Sequence, residues 1–469
     1  FALVMMILVR YVIQDHKRKT GGLPVPHDRF LVLAGASLVV GIGLTAAWGA
    51  ASAPFALLFG TGAVLGFVNP VIAAGVLVST TILRPWELEG LAALAVIPKL
   101  SGALCGFSWI YHGWRKKELT FLWSWPVRVF SVFALWVLLS AMFSGDAAMQ
   151  EYNNTLLIAA ILFFMVLNIA NDAFGVHAIR RAVVVSVAGA ISCGMVMTLT
   201  RPDYNLMAHR LYSYGLLGNP NDLAAMISLA LPLLMIPTRI AHRSSRRTIV
   251  TAAVVAMAIL MASGLWLSQS RGAFAGLVLT YFAYRLARSA RPLRGFLITL
   301  ICLPFAGVAL SLLSLARDSG DLSASSESRW SYVVAGFNMA IRNPIMGVGF
   351  GGYPRNFESY ASNMTHEWGE RTAHSSWVLV MAENGFLGLF LFGTLFLLVL
   401  RESWRLRTEY PELLAALVGY GVTMSFLSHT YTFFPYLIFA LILAATKTRK
   451  TAVLQAPRSD RDKIQARSA

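Results

Sequence analysis

The sequence WVLVMAENGFLGLFLFGTLFLLVL, from Trp377 to Leu400, contains a single charged residue, Glu383. A predominantly apolar run of this length is typical of a transmembrane helix, which needs about 20 residues. The whole chain has the same character, with 57% hydrophobic and 13% charged residues and a mean hydropathy of +0.63. Soluble domains carry about 25% charged residues. The sequence therefore predicts an all-α, polytopic integral membrane protein.

Similar apolar runs recur along the chain. They are Phe1–Ile13, Phe30–Trp48, Pro54–Val68, Val71–Leu83, Leu91–Ile110, Val127–Phe143, Thr155–Ile169, Ala178–Leu199, Leu223–Ile236, Ile249–Leu267, Ala273–Leu286, Leu293–Leu315, Trp377–Leu400, Leu413–Phe426 and Phe433–Ala445. We predict roughly 12 to 15 transmembrane segments from them. Some runs are short, so we expect neighbours such as Pro54–Val68 and Val71–Leu83 to form hairpins or broken helices. Because the chain begins at Phe1, we expect the natural N-terminus to precede it.

The distribution of positive charge predicts the orientation of these segments. Lys and Arg number 39 against 22 Asp and Glu, a formal net charge of +17. Four short loops are rich in basic residues: Arg239–Arg247, Arg285–Arg294, Arg401–Arg407 and Lys447–Lys450. The positive-inside rule places these loops and the C-terminus in the cytoplasm, which explains the charge without a nucleic-acid partner. Counting segments then assigns three polar stretches to the opposite, periplasmic face: Arg201–Asn221, the Ser270–Arg271 turn and residues 317–376.

Residues 317–376 form a long polar loop between two apolar runs. We expect Asp318–Arg329 to be loop-like and an amphipathic helix to follow, with Ser325 or Ser326 as its N-cap. Helical spacing puts five apolar residues on one face of that helix: Trp330, Val333, Val334, Phe337 and Ile341. The turn-rich stretch Gly347–Gly352 comes next, and the loop delivers His374 to the following helix. Connectors of this length are usually functional or disordered, and this one has the features of an active-site cap.

Four basic residues lie on the predicted periplasmic face: Arg210, Arg271, Arg329 and His374. Arg271 is notable because it opposes the positive-inside trend. A neutral imidazole such as that of His374 can take a proton from a hydroxyl nucleophile. Each residue taken singly also fits a simpler interpretation: a snorkelling arginine, a solvated loop charge or an interfacial histidine.

Further residues can support such a site. Asn219 and Asn221 flank a proline at a helix start, where an N-cap is expected and where anions bind. His366 competes with His374 as a base, and Glu383, about two turns into its helix, is positioned to pair with an arginine. The sequence shows no Cys/His pair at metal-ligand spacing, and the GxGxxG match at Gly347 follows no strand, so we predict neither a metal nor a nucleotide cofactor.

The order of these motifs resembles the O-antigen ligase/O-antigen polymerase superfamily of bacterial integral membrane glycosyltransferases. The resemblance covers about Arg210–Leu400 and rests on four stretches in order. They are Arg210 with Gly218–Asn221, then Ser268–Gly272, then Arg329 through Asn343–Gly349, and last Ala373–Ser375 with Glu383–Gly385. Ser375 departs from the family pattern, in which asparagine often follows the histidine.

The resemblance implies a GT-C-like fold in the bacterial inner membrane, with the active site facing the periplasm. It implies an undecaprenyl-diphosphate-linked glycan donor, a glycolipid or glycan acceptor, and no cofactor or metal. By that resemblance Arg210 and Arg271 bind the diphosphate, while His374 and Arg329 are catalytic. We accordingly divide the chain into transmembrane helices 1–200, a ligase/polymerase core 201–446 and a disordered cytoplasmic tail 447–469.

The predicted reaction is inverting transfer of the glycan to an acceptor sugar hydroxyl, of the kind that joins O-antigen to lipid A-core. A polymerase of lipid-linked repeat units is the first alternative, because it shares these motifs. A transporter or flippase of an anionic solute is the alternative from another class. It predicts ionisable residues deep in the membrane, for which Lys99 and Arg10 are the candidates.

Overall fold

The computed structural model describes residues 36–37, 39–40, 42, 44, 53–88, 91–117, 121–200, 210–211, 219–235, 247–289, 319–361 and 372–455. All regular structure within these ranges is helical, as predicted. The α-helices are α1 (Ala53–Val68), α2 (Pro70–Leu83), α3 (Ile97–Lys116), α4 (Trp125–Ser144), α5 (Asp146–Asn154), α6 (Leu156–Ile169), α7 (Ala173–Thr200), α8 (Pro220–Leu233), α9 (Arg247–Ser268), α10 (Arg271–Ala287), α11 (Ser319–Arg342), α12 (Gly352–Tyr360), α13 (Ser376–Arg405), α14 (Pro411–Met424) and α15 (Phe433–Gln455). Short 3-10 helices lie at Pro85–Glu87 and Ala92–Val96.

Six helical segments in the described ranges are long and apolar enough to cross a membrane. They are Ala92–Arg115, Trp125–Ser144, Asp146–Ile169, Ala173–Thr200, Thr251–Ser268 and Ser376–Arg405. Phe55–Val68 and Pro411–Met424 are shorter apolar helices. The prediction of a polytopic, all-α membrane protein is thus confirmed. The total of roughly 12 to 15 segments stays a prediction, because several of the apolar runs lie outside the described residues.

The chain divides into two compact units, of which the first contains residues 1–121, 164–269 and 447–452. In this unit α2 packs against α1, α3 and α7, and the side chains from Val71 to Ile82 are buried. A single residue, Asn69, separates α1 from α2, and its side-chain oxygen accepts the N–H of Val71 at 3.0 Å. This N-cap begins α2 just after α1 ends, so the two short apolar runs form two separate helices that pack against each other.

The second unit contains residues 122–163, 270–446 and 453–469. Helices α10 and α14 pack against each other in this unit, and a Cβ on Gly276 would lie 2.6 Å from the carbonyl oxygen of Gly419. Small residues at such a seam let two membrane helices approach closely. Helix α13 packs against α4 on one side and α11 on another.

Helix α13 is kinked at Gly385, which has φ +68° and ψ −171°. The turn-rich stretch that follows α11 wraps around this kink. The N–H of Val348 donates to the carbonyl of Ala382 at 2.8 Å, and the N–H of Phe386 donates to the carbonyl of Pro344 at 2.8 Å. A Cβ on Gly347 would collide with the carbonyl oxygen of Ala382. The glycine-rich turn and the Glu383–Gly385 motif are therefore one structural feature.

The loop helix differs from its prediction in two respects. Helix α11 begins at Ser319, so the predicted loop up to Arg329 and the predicted N-cap at Ser325 or Ser326 are both wrong. Extending an existing helix through a few weak helix formers costs little compared with nucleating it. In addition, the predicted apolar face is largely exposed, as at Trp330 and Phe337, whereas smaller residues such as Ala335 and Ala340 are buried. Small side chains let α11 lie close to α13.

The C-terminal helix also extends further than predicted. Helix α15 continues to Gln455, so a disordered tail starting at residue 447 is wrong for its first nine residues. The partition into domains 1–200 and 201–446 remains a prediction.

Candidate active site

Arg271 is the first residue of α10, at the end of the turn that joins α9 to α10. Gln269 has φ +51° and Ser270 is the N-cap, so only two residues separate the end of α9 from the start of α10. Arg271 is half-buried, and its guanidinium makes no hydrogen bond or ion pair within the described part of the chain. A guanidinium beside the positive end of a helix dipole can bind an anion such as a phosphate.

His374 lies just before α13, which begins at Ser376 with Ser375 as its N-cap. The backbone of His374 has φ +47°, which is uncommon for a residue other than glycine. Its ring is half-buried, with its centroid 5.3 Å from that of Tyr332 and the two planes inclined by 35°. The backbone turn and the aromatic contact together fix the imidazole at the helix end.

The segment 425–430, which follows α14, contacts the starts of both helices. Phe426 packs against Gly272, where a Cβ would lie 3.1 Å from the phenyl ring. The hydroxyl of Ser376 donates to the carbonyl of Leu427 at 2.6 Å and accepts the N–H of His429 at 2.9 Å. Because one segment holds the residue after Arg271 and the residue two after His374, both candidates lie at the same end of the second unit.

Two further hydrogen bonds fasten this segment to α13. Trp377 Nε1 donates to Ser425 Oγ at 2.9 Å, and Thr430 Oγ1 donates to the carbonyl of Ser376 at 2.6 Å. The sequence analysis predicted neither these contacts nor a role for His429, because no pattern near Ser376 indicates that it bonds to a segment about 50 residues away. His429 is itself buried, with Nδ1 3.0 Å from the hydroxyl of Tyr420.

Arg210 belongs to the first unit and is tied to two helices there. Its Nε donates to the carbonyl of Ser268 at 2.6 Å, and its Nη2 donates to Asn221 Oδ1 at 2.6 Å. Asn219 is the N-cap of α8, as predicted, and accepts the N–H of Asn221 at 2.9 Å. Arg210 therefore joins the carboxyl end of α9 to the first turn of α8, with charge-assisted hydrogen bonds.

Glu383 has no arginine partner among the described residues, and its predicted pairing with an arginine stays a prediction. Its carboxylate accepts the backbone N–H of Tyr353 at 3.0 Å and bonds to the hydroxyl of Tyr431. Tyr431 in turn accepts from Asn384 Nδ2 at 2.6 Å. Burial raises the pKa of Tyr431 well above its ordinary value, so the phenol keeps the proton that it donates. Glu383 thus anchors the glycine-rich turn to the α13 kink.

Two predicted site groups lie outside the described residues: His366 and the side chain of Arg329, whose backbone is part of α11. The convergence of Arg210, Arg271, Arg329 and His374 on one cavity therefore stays a prediction. No group of three or more His, Cys, Asp or Glu residues in the described ranges could hold a metal ion. The end of the second unit offers a cation and an imidazole, which suit anion binding and proton transfer.

These features define a multi-pass, α-helical membrane protein, in which Arg271 and His374 at one end of the second unit form the candidate site. Residues 256–393 match the family model for O-antigen ligase. The match confirms the resemblance to the O-antigen ligase/polymerase superfamily, and it supports glycosyltransferase activity of that general type in a bacterial membrane. It includes Arg271, Arg329, His374 and Glu383 but not Arg210. A search among curated proteins found no match to the chain.

Proposed function

We propose that this protein is an inverting glycosyltransferase of the O-antigen ligase type, which needs no metal and faces the periplasm. It moves a glycan from undecaprenyl diphosphate to a sugar hydroxyl of an acceptor such as lipid A-core. The observation that carries the proposal is the shared attachment of Gly272 and Ser376 to segment 425–430. It brings Arg271, which has no hydrogen-bond or ion-pair partner among the described residues, and His374 to one end of the second unit.

The chemistry needs these two groups. An acceptor hydroxyl oxygen attacks the anomeric carbon and forms the new glycosidic bond, while the bond from that carbon to the diphosphate oxygen breaks. His374 takes the hydroxyl proton, and undecaprenyl diphosphate leaves with both electrons of the broken bond. Arg271 stabilises the negative charge that gathers on the diphosphate. Attack from the face opposite the leaving group inverts the anomeric centre.

Arg329 is proposed to assist the transfer, and Arg210 to bind the same diphosphate. Its guanidinium is held by Ser268 and Asn221 and carries the positive charge that attracts a phosphate. Asn219 and Asn221 support Arg210 by building the start of α8. Glu383 acts indirectly, through the turn that it anchors.

The distribution of charge along α13 supports the periplasmic orientation. His374 precedes the start of this helix, and Arg401, Arg405 and Arg407 lie at or beyond its last turns. Positive residues mark the cytoplasmic end of a transmembrane helix, so the opposite end, with His374, is assigned to the periplasm. The C-terminus is assigned to the cytoplasm by the same rule.

The transporter alternative predicts ionisable residues that pair with one another deep in the membrane. Lys99, its candidate, lies within the apolar segment Ala92–Arg115 and has no hydrogen-bond or ion-pair partner among the described residues, which weighs against that alternative. Arg10 lies outside the described residues. The polymerase alternative has no specific observation in its favour and differs from a ligase in its product.

A transfer assay tests the proposal. Purified protein is incubated with undecaprenyl-diphosphate-linked glycan and lipid A-core acceptor, without added metal or nucleotide and with chelator present. The proposal expects one glycan per acceptor, with the new linkage of inverted anomeric configuration by NMR. A ladder of lengthened glycans on the lipid carrier would assign a polymerase. Retention of configuration, or a requirement for metal, would contradict the mechanism.

A further inference from the structure

A second polar feature of the second unit lies beside the glycine-rich turn. It is a cavity of about 420 Å³, within the range of roughly 300 to 1,000 Å³ that is usual for small-molecule sites. Its walls come from the end of α4, the glycine-rich turn and the first turn of α12. The lining residues that matter below are Phe143, Ser144, Gly349, Arg355 and Asn356.

The walls of this cavity are fixed to one another. The N–H of Phe350 donates to Ser140 Oγ at 2.9 Å, and Ser144 Oγ donates to the carbonyl of Ser140 at 2.7 Å. Gly349 lies so close to Ser144 that a Cβ at this position would collide with the hydroxyl. The cavity therefore exists before a ligand arrives, which reduces the entropy lost on binding.

Two side chains offer unused hydrogen-bonding groups to a ligand. Arg355 donates from Nε to the carbonyl of Gly351 at 3.2 Å, and Asn356 donates from Nδ2 to the carbonyl of Gly352 at 2.8 Å. Among the described residues, the Nη groups of Arg355 and the Oδ1 of Asn356 have no hydrogen-bond partner. The cavity thus presents donors and an acceptor side by side, which suits hydroxyl groups because these both donate and accept.

The charge of the cavity disfavours a phosphate. Arg355 has a carboxylate beside it, because Glu151 Oε2 and Arg355 Nη2 lie 2.6 Å and 3.7 Å from the position of a Cβ on Gly351. The negative charge of Glu151 offsets that of the guanidinium and repels an anion. Phe143, whose side chain is 80% exposed, adds an aromatic face at the rim. Such a face packs against the C–H groups of a sugar ring.

From these observations we infer that the cavity is a binding subsite for an uncharged sugar unit of the glycan substrate. The inference rests on the proposed function and deepens it. Helix α12 separates the subsite from the candidate base: Arg355 and Asn356 line the cavity, whereas the ring of Phe357 is 5.4 Å from that of Tyr332, which contacts His374. The subsite therefore binds a sugar away from the reacting hydroxyl and selects the glycan.

A binding measurement tests the subsite without relying on transfer. The probe is the soluble oligosaccharide released by mild acid from the lipid-linked glycan of the producing bacterium, and saturation-transfer NMR measures its dissociation constant. We expect Asn356→Ala and Arg355→Ala each to raise this constant about tenfold, the effect of losing roughly one hydrogen bond. Arg342→Ala is the matched control, since Arg342 is exposed and stacks on Tyr360, and it should leave the constant unchanged.

Three outcomes would overturn the inference. They are equal binding in all variants, equal loss in Arg342→Ala, and displacement of the oligosaccharide by inorganic pyrophosphate or glycerol 3-phosphate, which would indicate a phosphate or headgroup site. Glu151→Gln sharpens the charge argument, because pyrophosphate should bind this variant and not the wild type. Thermal unfolding of each variant checks that the protein is folded.

Experiments can distinguish a failure of the proposed subsite from a failure of the proposed function. If His374→Ala still transfers glycan while the cavity variants bind oligosaccharide weakly, the catalytic assignment fails and the subsite stands. If transfer needs His374 but the cavity variants bind normally and keep the wild-type KM for the glycan, the subsite fails alone. For a true subsite, Asn356→Ala raises KM about tenfold and leaves kcat unchanged.

Discussion

Arg210 and Arg271 have the same predicted role, yet their surroundings differ. Arg210 gives two hydrogen bonds of 2.6 Å to Ser268 and Asn221, and so connects two helices. Arg271 begins a helix and has no partner within the described residues. An arginine tied to its own protein contributes to stability, whereas an arginine without a partner is available to a ligand. The contrast predicts that replacing Arg271 lowers activity alone, whereas replacing Arg210 lowers both activity and stability.

Among the changes that test this contrast, the largest effect on activity is expected from Arg271→Ala. Loss of a donor that stabilises developing charge slows an enzyme about 10²- to 10³-fold. The thermal unfolding temperature should stay unchanged, because Arg271 has no hydrogen-bond partner among the described residues to lose. Initial transfer rates and unfolding curves are the measurements. Arg285→Ala, in the last turn of the same helix, is the matched control and should keep full activity. An equal loss of transfer rate in both variants would contradict a specific role of Arg271 in catalysis.

Arg210→Ala should affect stability as well as activity. Hydrogen bonds to a charged group contribute about 1.5–3 kcal/mol, and the carbonyl of Ser268 and the amide of Asn221 would lose their donor. Unfolding of the single variants and of the Arg210→Ala/Asn221→Ala pair checks this, since residues in contact give less than additive losses. Unchanged stability in Arg210→Ala would contradict the claim that Arg210, unlike Arg271, stabilises the fold.

A smaller effect is expected from Ser376→Ala, which tests the segment that holds both helix starts. The variant loses bonds to Leu427 and His429, at a cost of about 1–2 kcal/mol. Because His374 lies two residues before Ser376, kcat should fall more than donor affinity. Ser403→Ala in the same helix loses only a bond to Leu400 and serves as the control. Equal effects of both changes on kcat would contradict a link to the site.

The smallest effect is expected from Glu383→Gln. An amide oxygen still accepts the N–H of Tyr353, so the cost should stay below about 1 kcal/mol. Glu383→Leu removes the carboxylate, so the buried N–H of Tyr353 and the hydroxyl of Tyr431 lose their acceptor. This variant should therefore destabilise the protein more than Glu383→Gln. Unfolding measurements on both variants decide. If the Gln variant is as unstable as the Leu variant, the carboxylate charge itself is needed and a cationic partner remains to be found.

Features that depend on neighbouring residues could be predicted from the sequence. The apolar runs predicted the membrane helices, and the Asn219–Pro220 pair predicted the start of α8. The short polar stretch before Arg271 predicted the short connection between α9 and α10. Each of these depends on burial periodicity or on a cap within three residues. The start of α11 at Ser319 and the end of α15 at Gln455 were missed, because the ends of a helix depend on weak propensities and on tertiary contacts.

Contacts between distant residues could not be predicted. Glu383 bonds to Tyr353, 30 residues away, and Ser376 bonds to Leu427, 51 residues away. No local pattern distinguishes a carboxylate that accepts a backbone N–H from one that pairs with an arginine. Which face of α11 is exposed could not be predicted either, since a large apolar side chain in a membrane protein can face lipid as readily as protein.

The most direct test of the central claim is the single-turnover transfer rate of His374→Ala with saturating donor, where binding no longer limits the rate. Removing a general base should lower this rate about 10²- to 10⁴-fold, with donor affinity and unfolding temperature unchanged. His112→Ala, which removes a histidine bonded to the carbonyl of Phe67, should transfer at the wild-type rate. An unchanged rate in His374→Ala would contradict the assignment of the active site to the start of α13.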